Sequence, residues 1–598
     1  MPAASSIRSI RFQRTLAWFH RVRRRHAFAS SVALLLYAVL AVCLFANVWQ
    51  SPADFWIGAS KDPKLFIWYL GWIPHELALG HNPLVTDYMA YPQGVNLMWN
   101  TSMLFPALVL WPVTAAFGAV VSYNLLVTAG VALSAWFGFL AARRFFGDTL
   151  LCALVGLVYG FSPAMLAQAT RHPHAMIALF PPIAVLLADE ILVRQRFRPA
   201  LIGALAGLAA ALQLLTGEEL LATTALVAVI GAALLALLHR DSVAEKLPYA
   251  ALAVGVALIS FGVVSAYPLA VQFLGPQRVF GDVQPLDVYV SDLLAFVVPN
   301  HALVQSSATA YVAGRFTGNA AEDNAYVGLP LLVLFIAGLK MNWRRPVIRW
   351  AGLLALIIAL LSLGSRLHIY GQVTPILLPW AAVAHLPLMG SALPGRLMLM
   401  AFLGIGIVVA SVWMPPLRGT RPWRVTAGIA LFAGVLSMVP ALPFASSSAA
   451  LPSFFEPGGG VQNIPEGSVV LVTPFSSKQS TDAMYWQAVA HYTFRMPEGD
   501  AFTPGPYLGP HPSYLEATLD RLDQGVDVTA SPTARGQALQ DLATFAVTAI
   551  VAGPSPGQGA IVRFLSVVVG TAPVKVGGVD VWWRVSPVGG NPIGVPGG

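Results

Sequence analysis

Apolar stretches long enough to cross a bilayer recur through the first three quarters of the sequence, at 29–48, 123–142, 149–165, 174–193, 199–216, 219–238, 248–268, 326–340, 349–364, 396–414 and 424–441. A helix needs about 20 such residues to span the hydrocarbon core, where every backbone polar group must be satisfied within the segment. The pattern predicts a polytopic α-helical membrane protein of about eleven spans. Basic clusters set its direction. Arg143/Arg144, Arg194/Arg196/Arg198, Arg240/Lys246, Lys340/Arg344/Arg345/Arg349 and Arg418/Arg421/Arg424 are each two spans apart, so one orientation puts them all on the cytoplasmic side. Seven arginines between Arg8 and Arg25, with no acid among them, join that side. The run that follows has no small-x-small cleavage site and reads as a retained first span with a cytoplasmic N-terminus.

Composition matters at this point. Charged residues make up 10% of the chain and the formal charge is +8, a value that could suggest nucleic acid. Sorted by side, 21 bases and five acids fall inside, which leaves the outer side acidic. The excess is explained by membrane insertion, and no nucleic-acid partner is expected. Cys43 and Cys152 lie inside apolar runs, which excludes a disulfide framework and a cysteine metal site.

The same parity assigns the apolar stretch 103–118. Counting it as a crossing would put Arg143 and Arg144 outside, so it reads as a helix dipping into the outer leaflet. The domains are then a cytoplasmic basic arm, 1–28; a transmembrane domain, 29–444, with outer loops 49–102, 269–325 and 365–395; an extracytoplasmic α/β domain, 445–586; and a disordered Gly/Pro-rich tail, 587–598. The third loop holds a second apolar dip, 373–388. In the α/β domain we expect strands at 468–474 and 545–552, helices at 482–494, 513–522 and 534–542, and a hairpin turning at Gly577-Gly578.

The first outer loop carries the most chemistry. A helix over 65–79 has an aromatic stripe of Phe66, Tyr69 and Trp72 and is expected to lie in the interface plane. Asp62, just before Pro63, stands at its start. A carboxylate there could accept a proton from a sugar hydroxyl, or could simply cap the helix. The loop continues with His75-Glu76 and Gly80-His81-Asn82-Pro83-Leu84. The His75/Glu76/His81 spacing is not that of a helical ligand pair, and neither a metal nor another cofactor is expected.

A basic arm, one span, a long outer loop with an early acid, a G-x-N-P turn and an apolar dip resemble the GT-C superfamily of polyprenyl-phosphate-sugar-dependent membrane glycosyltransferases. So do a span ending in Ala142-Arg143-Arg144-Phe145-Phe146-Gly147 and one ending in Phe161-Ser162-Pro163. The resemblance is good over 49–200 and looser over Leu361-Ser362-Leu363-Gly364 and Leu393-Pro394-Gly395-Arg396. It implies a GT-C-like fold and gives Asp62 the role of general base, although the common family form pairs two acids and this chain has Asp62-Pro63. A lipid-phosphate donor also needs cations at the outer surface; Arg171, His172, Arg366 and Arg396 are the candidates, with membrane-lipid snorkelling as their alternative. Glu218, Glu219, His81 and Asn82 are candidates to orient the acceptor. The adjacent pair Glu218-Glu219 could also pair with Arg396, or suit a helix start without any such role.

These readings imply transfer of a sugar from a polyprenyl-phosphate donor to a cell-envelope glycan or protein on the outer face of a bacterial plasma membrane, inverting by family mechanism. Tyr485, Trp486, Tyr492 and Trp582 are candidates for holding a glycan acceptor, or are ordinary core. A transporter or flippase would instead place ionisable groups at mid-membrane in two repeated halves. An inactive scaffold with the GT-C shape is the third alternative.

Overall fold

The computed structural model describes residues 27–281, 284–323, 325–414, 421–475, 480–504 and 512–585. Nearly all of the basic arm, Arg418, the side chain of Arg421 and the tail from 587 lie outside the described residues. The protein is mostly helical. Among the described residues, six helices are long and apolar enough to cross a membrane: Ala27–Leu44, Leu104–Ala142, Pro173–Arg194, Glu218–Leu238, Arg240–Leu274 and Pro394–Trp413. The bent pair Thr149–Gly160 and Pro163–Ala169 forms a seventh when taken together, and shorter apolar helices occur at Pro199–Leu214, Leu329–Asn342, Pro346–Ser362 and Trp423–Ser437. Pro163, Pro173, Pro199 and Pro346 each open a helix at the position where a missing N–H costs nothing. Asp148 and Ser162 cap the two members of the bent pair through their side chains.

Leu104–Ala142 would be about 58 Å long if straight, but Gly118 breaks it with φ 83° and ψ 166°. The hydroxyls of Thr114 and Ser122 lie 2.8 Å apart, whereas residues eight apart on a straight helix are separated by about 12 Å. The stretch before Gly118 therefore folds back on the helix after it.

Two expected elements are corrected. The stretch 373–388 is not one helical dip: Arg366–Ile369 and Gln372–Leu377 form an antiparallel hairpin, and only the short helix Trp380–Val383 follows it within the stretch. Its turn residues Tyr370 and Gly371 both have positive φ, the signature of a type I′ turn, and the Asp292 carboxylate accepts from both of their backbone N–H groups. The helix Asp62–Ala78 does not lie in an interface plane with one face wet. Phe66, Ile67, Trp68, Tyr69, Leu70, Trp72 and Ile73 are consecutive or nearly so and all buried, which leaves no wet stripe.

That helix is covered by the C-terminal unit. Trp68 donates from Nε1 to Gln487 Oε1 at 2.7 Å, the Tyr492 hydroxyl donates to Trp68 O at 2.8 Å, and Lys61 and Lys64 pair with Asp500 and Asp482. The unit's four-stranded sheet runs in the order Val470–Thr473, Ala549–Ala552, Val579–Trp582, Val574–Val576, with the first pair parallel and the others antiparallel. Val470 and Val472 point into the core shared with the helical bundle, while Leu471 and Ile550 point into a second core under the helices Tyr514–Asp523, Pro532–Thr544 and Gln558–Val569. Both faces are covered, so these strands are apolar throughout rather than alternating. The helix Gln558–Val569 was not anticipated: its Val567-Val568-Val569 run reads as strand locally, and packing of Ile561, Phe564, Leu565 and Val568 overrides it. Tyr485, Trp486, Tyr492 and Trp582 are buried core residues, so they present no surface to a glycan.

Candidate functional site

The first loop reaches the bundle at Gly58. Its φ is +105°, and a Cβ there would stand 2.4 Å from the Thr170 carbonyl oxygen; glycine alone permits this approach. Thr170 precedes Arg171 and His172, so the contact brings the start of the Asp62 helix against the segment 170–174. Asp62 is the first helical residue, Lys61 is the N-cap, and no side-chain capping bond is made. The Asp62 carboxylate, 19% exposed, accepts from Ser60 Oγ at 3.4 Å and lies 3.7 Å from His172 Nε2. Capping is therefore not what this side chain does.

On its other side, His172 Nδ1 lies 2.9 Å from Gln168 Oε1, 3.2 Å from Glu322 Oε1 and 3.3 Å from Arg396 Nη2. Two of those three neighbours are acceptors, which favours the tautomer with the proton on Nδ1 and leaves Nε2 facing Asp62. Glu322, 2% exposed, accepts from Gln168 Nε2 at 3.1 Å and from Arg396 Nε and Nη2 at 3.0 and 2.6 Å. Arg396 also pairs with Glu219, whose second oxygen accepts from Leu393 N at 2.9 Å. A fork held bidentately on one carboxylate and capped by another is a strong, specific arrangement. Asp62, His172, Glu322, Arg396 and Glu219 thus form one contiguous group drawn from five separate parts of the chain.

Burial alone would push the Glu322 carboxyl up, but Arg396 and His172 outweigh it and hold the group well below the usual carboxylate range. Burial, then the charges of Glu322 and Asp292, push its neighbour Asp323 up to about 8, with His301 Nε2 4.0 Å from its carboxylate. At neutral pH this adjacent pair carries one negative charge. A carboxyl raised in the folded state contributes stability below its unfolded value, near 4, and loses it as pH rises to about 8. Asp323→Asn removes that dependence. Relative to the parent, the melting temperature of the variant should climb between pH 5 and pH 8; a constant offset over that range would contradict the shared charge.

The remaining sequence candidates are distributed as follows. Arg171 is half-buried beside His172 and forms no ion pair among the described residues. Glu218 turns away from the group and accepts from Gln272 Nε2 at 3.0 Å. Arg366 is exposed on the hairpin, opposite Leu377, and makes no bond to the group among the described residues. His81 and Asn82 stand past the far end of the Asp62 helix, about 25 Å away at 1.5 Å per residue; His81 Nδ1 is 3.5 Å from Glu76 and Asn82 caps the turn at Leu84. Among the described residues there is no cluster of three or more His, Cys, Asp or Glu able to hold a metal.

Sequence reasoning missed Glu322, Asp323 and Gln168. The one available signal was the adjacent acid pair Glu322-Asp323 in the loop 269–325. One helical turn beyond Glu219 and Arg396, Thr224 and Met400 touch at 3.7 Å and line an apolar cavity of about 210 Å³, walled also by Val185, Leu354, Leu403 and Ile407 and reaching His239 at its other end.

A model of the family described as "Domain of unknown function (DUF6311)" matches residues 33–439. No curated protein matches the sequence. Among solved structures, the chain is similar to the arabinofuranosyltransferase AftD from Mycobacteria (TM-score 0.49, 16% identity, 89% of this chain and 37% of that one). It is also similar to the Archaeoglobus fulgidus oligosaccharyltransferase (0.48, 14%, 87% and 68%) and to ArnT from Cupriavidus metallidurans (0.43, 14%, 92% and 98%). The chain therefore spans little more than a third of the first of these. These likenesses concern the fold alone.

Proposed function

The chain belongs to the DUF6311 family, and from the group assembled around Asp62 we propose that this member is a glycosyltransferase, moving a sugar from a polyprenyl-phosphate donor to a cell-envelope acceptor on the outer face of a bacterial plasma membrane. The observation that carries this reading is a carboxylate that pairs with no lysine or arginine among the described residues and lies one imidazole away from a buried Glu322–Arg396–Glu219 bracket. Asp62 accepts the proton of the acceptor hydroxyl as its oxygen attacks the anomeric carbon. His172 Nε2 is the next station for that proton. The bond to the donor phosphate breaks in the same displacement, with inversion, and its electrons leave with the phosphate.

The leaving phosphate needs a cation. Arg396 is already held by two carboxylates, so in this reading it positions Glu322 and His172, and Arg171 meets the phosphate. The apolar cavity below Thr224 and Met400 suits the first isoprene units of the carrier. Eleven crossings follow if the bent pair and the four shorter apolar helices span together with the six long ones. Arg144, Arg194 and Arg196, which pair with Asp189 and Glu190 about 26 Å along the helix from His172, then face the cytoplasm. Asp62, Arg171 and the C-terminal sheet face outward.

Two measurements test the proposal. In a background lacking Cys43 and Cys152, single cysteines at 171 and 529 should react with an impermeant thiol reagent on intact cells, and those at 143 and 194 should not; reaction at 143 overturns the orientation. Purified protein in liposomes should transfer label from at least one member of a panel of polyprenyl-phosphate sugars to an envelope extract, and failure with the whole panel rejects the reaction.

A further inference from the structure

A second polar cavity, of about 250 Å³, lies at the other end of the Asp62–Ala78 helix, roughly 20 Å from the base at 1.5 Å per residue. Its walls come from three separate segments. The helix supplies Trp72 and Glu76, the small hairpin Val85–Thr86 with Val95–Asn96 supplies Asp87, Tyr88 and Gln93, and the segment after the Arg240–Leu274 helix supplies Gln277. Asn96 fastens the third segment to the hairpin by donating from Nδ2 to Val271 O and Pro276 O at 2.8 and 2.9 Å. The cavity is thus built by packing and is not the gap under a free loop.

Its chemistry is rich in acceptors. Glu76 is 8% exposed, with the ring nitrogens His81 Nδ1 at 3.5 Å and His75 Nε2 at 4.0 Å. Gln277 is held in the left-handed region, φ 48°; its Nε2 donates to Gln93 O, while its buried Oε1 has no hydrogen-bond partner among the described residues. A buried acceptor left open costs free energy unless a ligand or solvent group meets it. Beside these acceptors the Tyr88 ring packs on Trp72, centroids 5.2 Å apart, with the Arg495 guanidinium 5.3 Å over it; Arg495 also neutralises Asp87 at 3.1 Å. A half-buried aromatic face next to carboxylate and carboxamide oxygens suits a ligand that has C–H faces and many hydroxyl donors.

We propose that this cavity is a carbohydrate subsite that holds one sugar unit of a neutral glycan acceptor, remote from the reacting hydroxyl. The proposal rests on the glycosyltransferase reading for its role in the reaction, but the binding stands apart from it. In saturation-transfer NMR of the full-length protein in detergent, a panel of neutral linear tetrasaccharides of glucose, mannose, galactose and arabinose provides the probe. At least one should receive saturation, and should do so equally in Asp62→Asn, which leaves the cavity untouched. Gln277→Ala and Glu76→Gln, with melting temperatures near that of the parent, should weaken that sugar at least tenfold. Absence of saturation for every member, or binding that survives both substitutions unchanged, overturns the subsite. Failure of transfer in liposomes with sugar binding intact would reject the reaction and leave the subsite standing.

Discussion

Asp62→Asn protein is expected to insert, accumulate and melt like the parent, yet to transfer sugar roughly 10²–10⁴-fold more slowly, the usual contribution of a positioned general base. The substitution keeps the volume and the ability to accept from Ser60 Oγ, and it removes only the basicity. Since Asp62 makes no capping bond, the helix loses no more than part of a favourable charge at its N-terminus, about 0.3–1 kcal/mol. Rate and stability therefore separate in one variant. Near-full transferase activity in Asp62→Asn, measured with a lipid-linked donor, would remove Asp62 from the chemistry and leave the buried bracket as a structural element.

Arg396→Ala is expected to fail in the opposite way. It removes the guanidinium that Glu219 and Glu322 share, the second of these carboxylates almost wholly buried. Breaking a buried ionic group by removing one partner costs about 3–5 kcal/mol, because the charge left behind has neither water nor a counter-ion. Thermal unfolding in detergent should show a large loss of stability together with loss of activity. A triple variant replacing Arg396, Glu219 and Glu322 with Leu should regain much of the stability, since apolar groups of similar size do not need the pairing, and regain no activity. If Arg396→Ala melts like the parent, the bracket does not hold the site together.

Much of the helical architecture was legible because lipid imposes one dominant rule on sequence: length and apolarity of a segment. The candidate site was legible only in part. Asp62, His172, Glu219 and Arg396 each sit at the end of an apolar run, where a charge is conspicuous. Glu322 sits in a long irregular loop, and its role comes from a bidentate contact with Arg396 across 74 positions, which no local pattern carries. The Asp62 helix was misjudged for the same reason. Its aromatic stripe is real, but the surface that covers the rest of it arrives from residues 482–500, and burial by a distant segment leaves no periodic trace. The hairpin 366–377 was missed because an apolar run of strand length in a membrane chain is ambiguous between dip and strand; the Tyr370-Gly371 turn decides it.

The pairing of Lys61 with Asp500 and of Lys64 with Asp482 also bears on when the protein becomes competent. These partners are separated by 439 and 418 positions. At 5–20 residues per second, the ribosome needs roughly 20–90 s after making the Asp62 segment before it makes the residues that clamp it. Throughout that interval the Asp62 segment lacks the residues that pair with it. On the glycosyltransferase reading, a chain released before residue 482 is expected to transfer no sugar, since its Asp62 segment never meets that clamp.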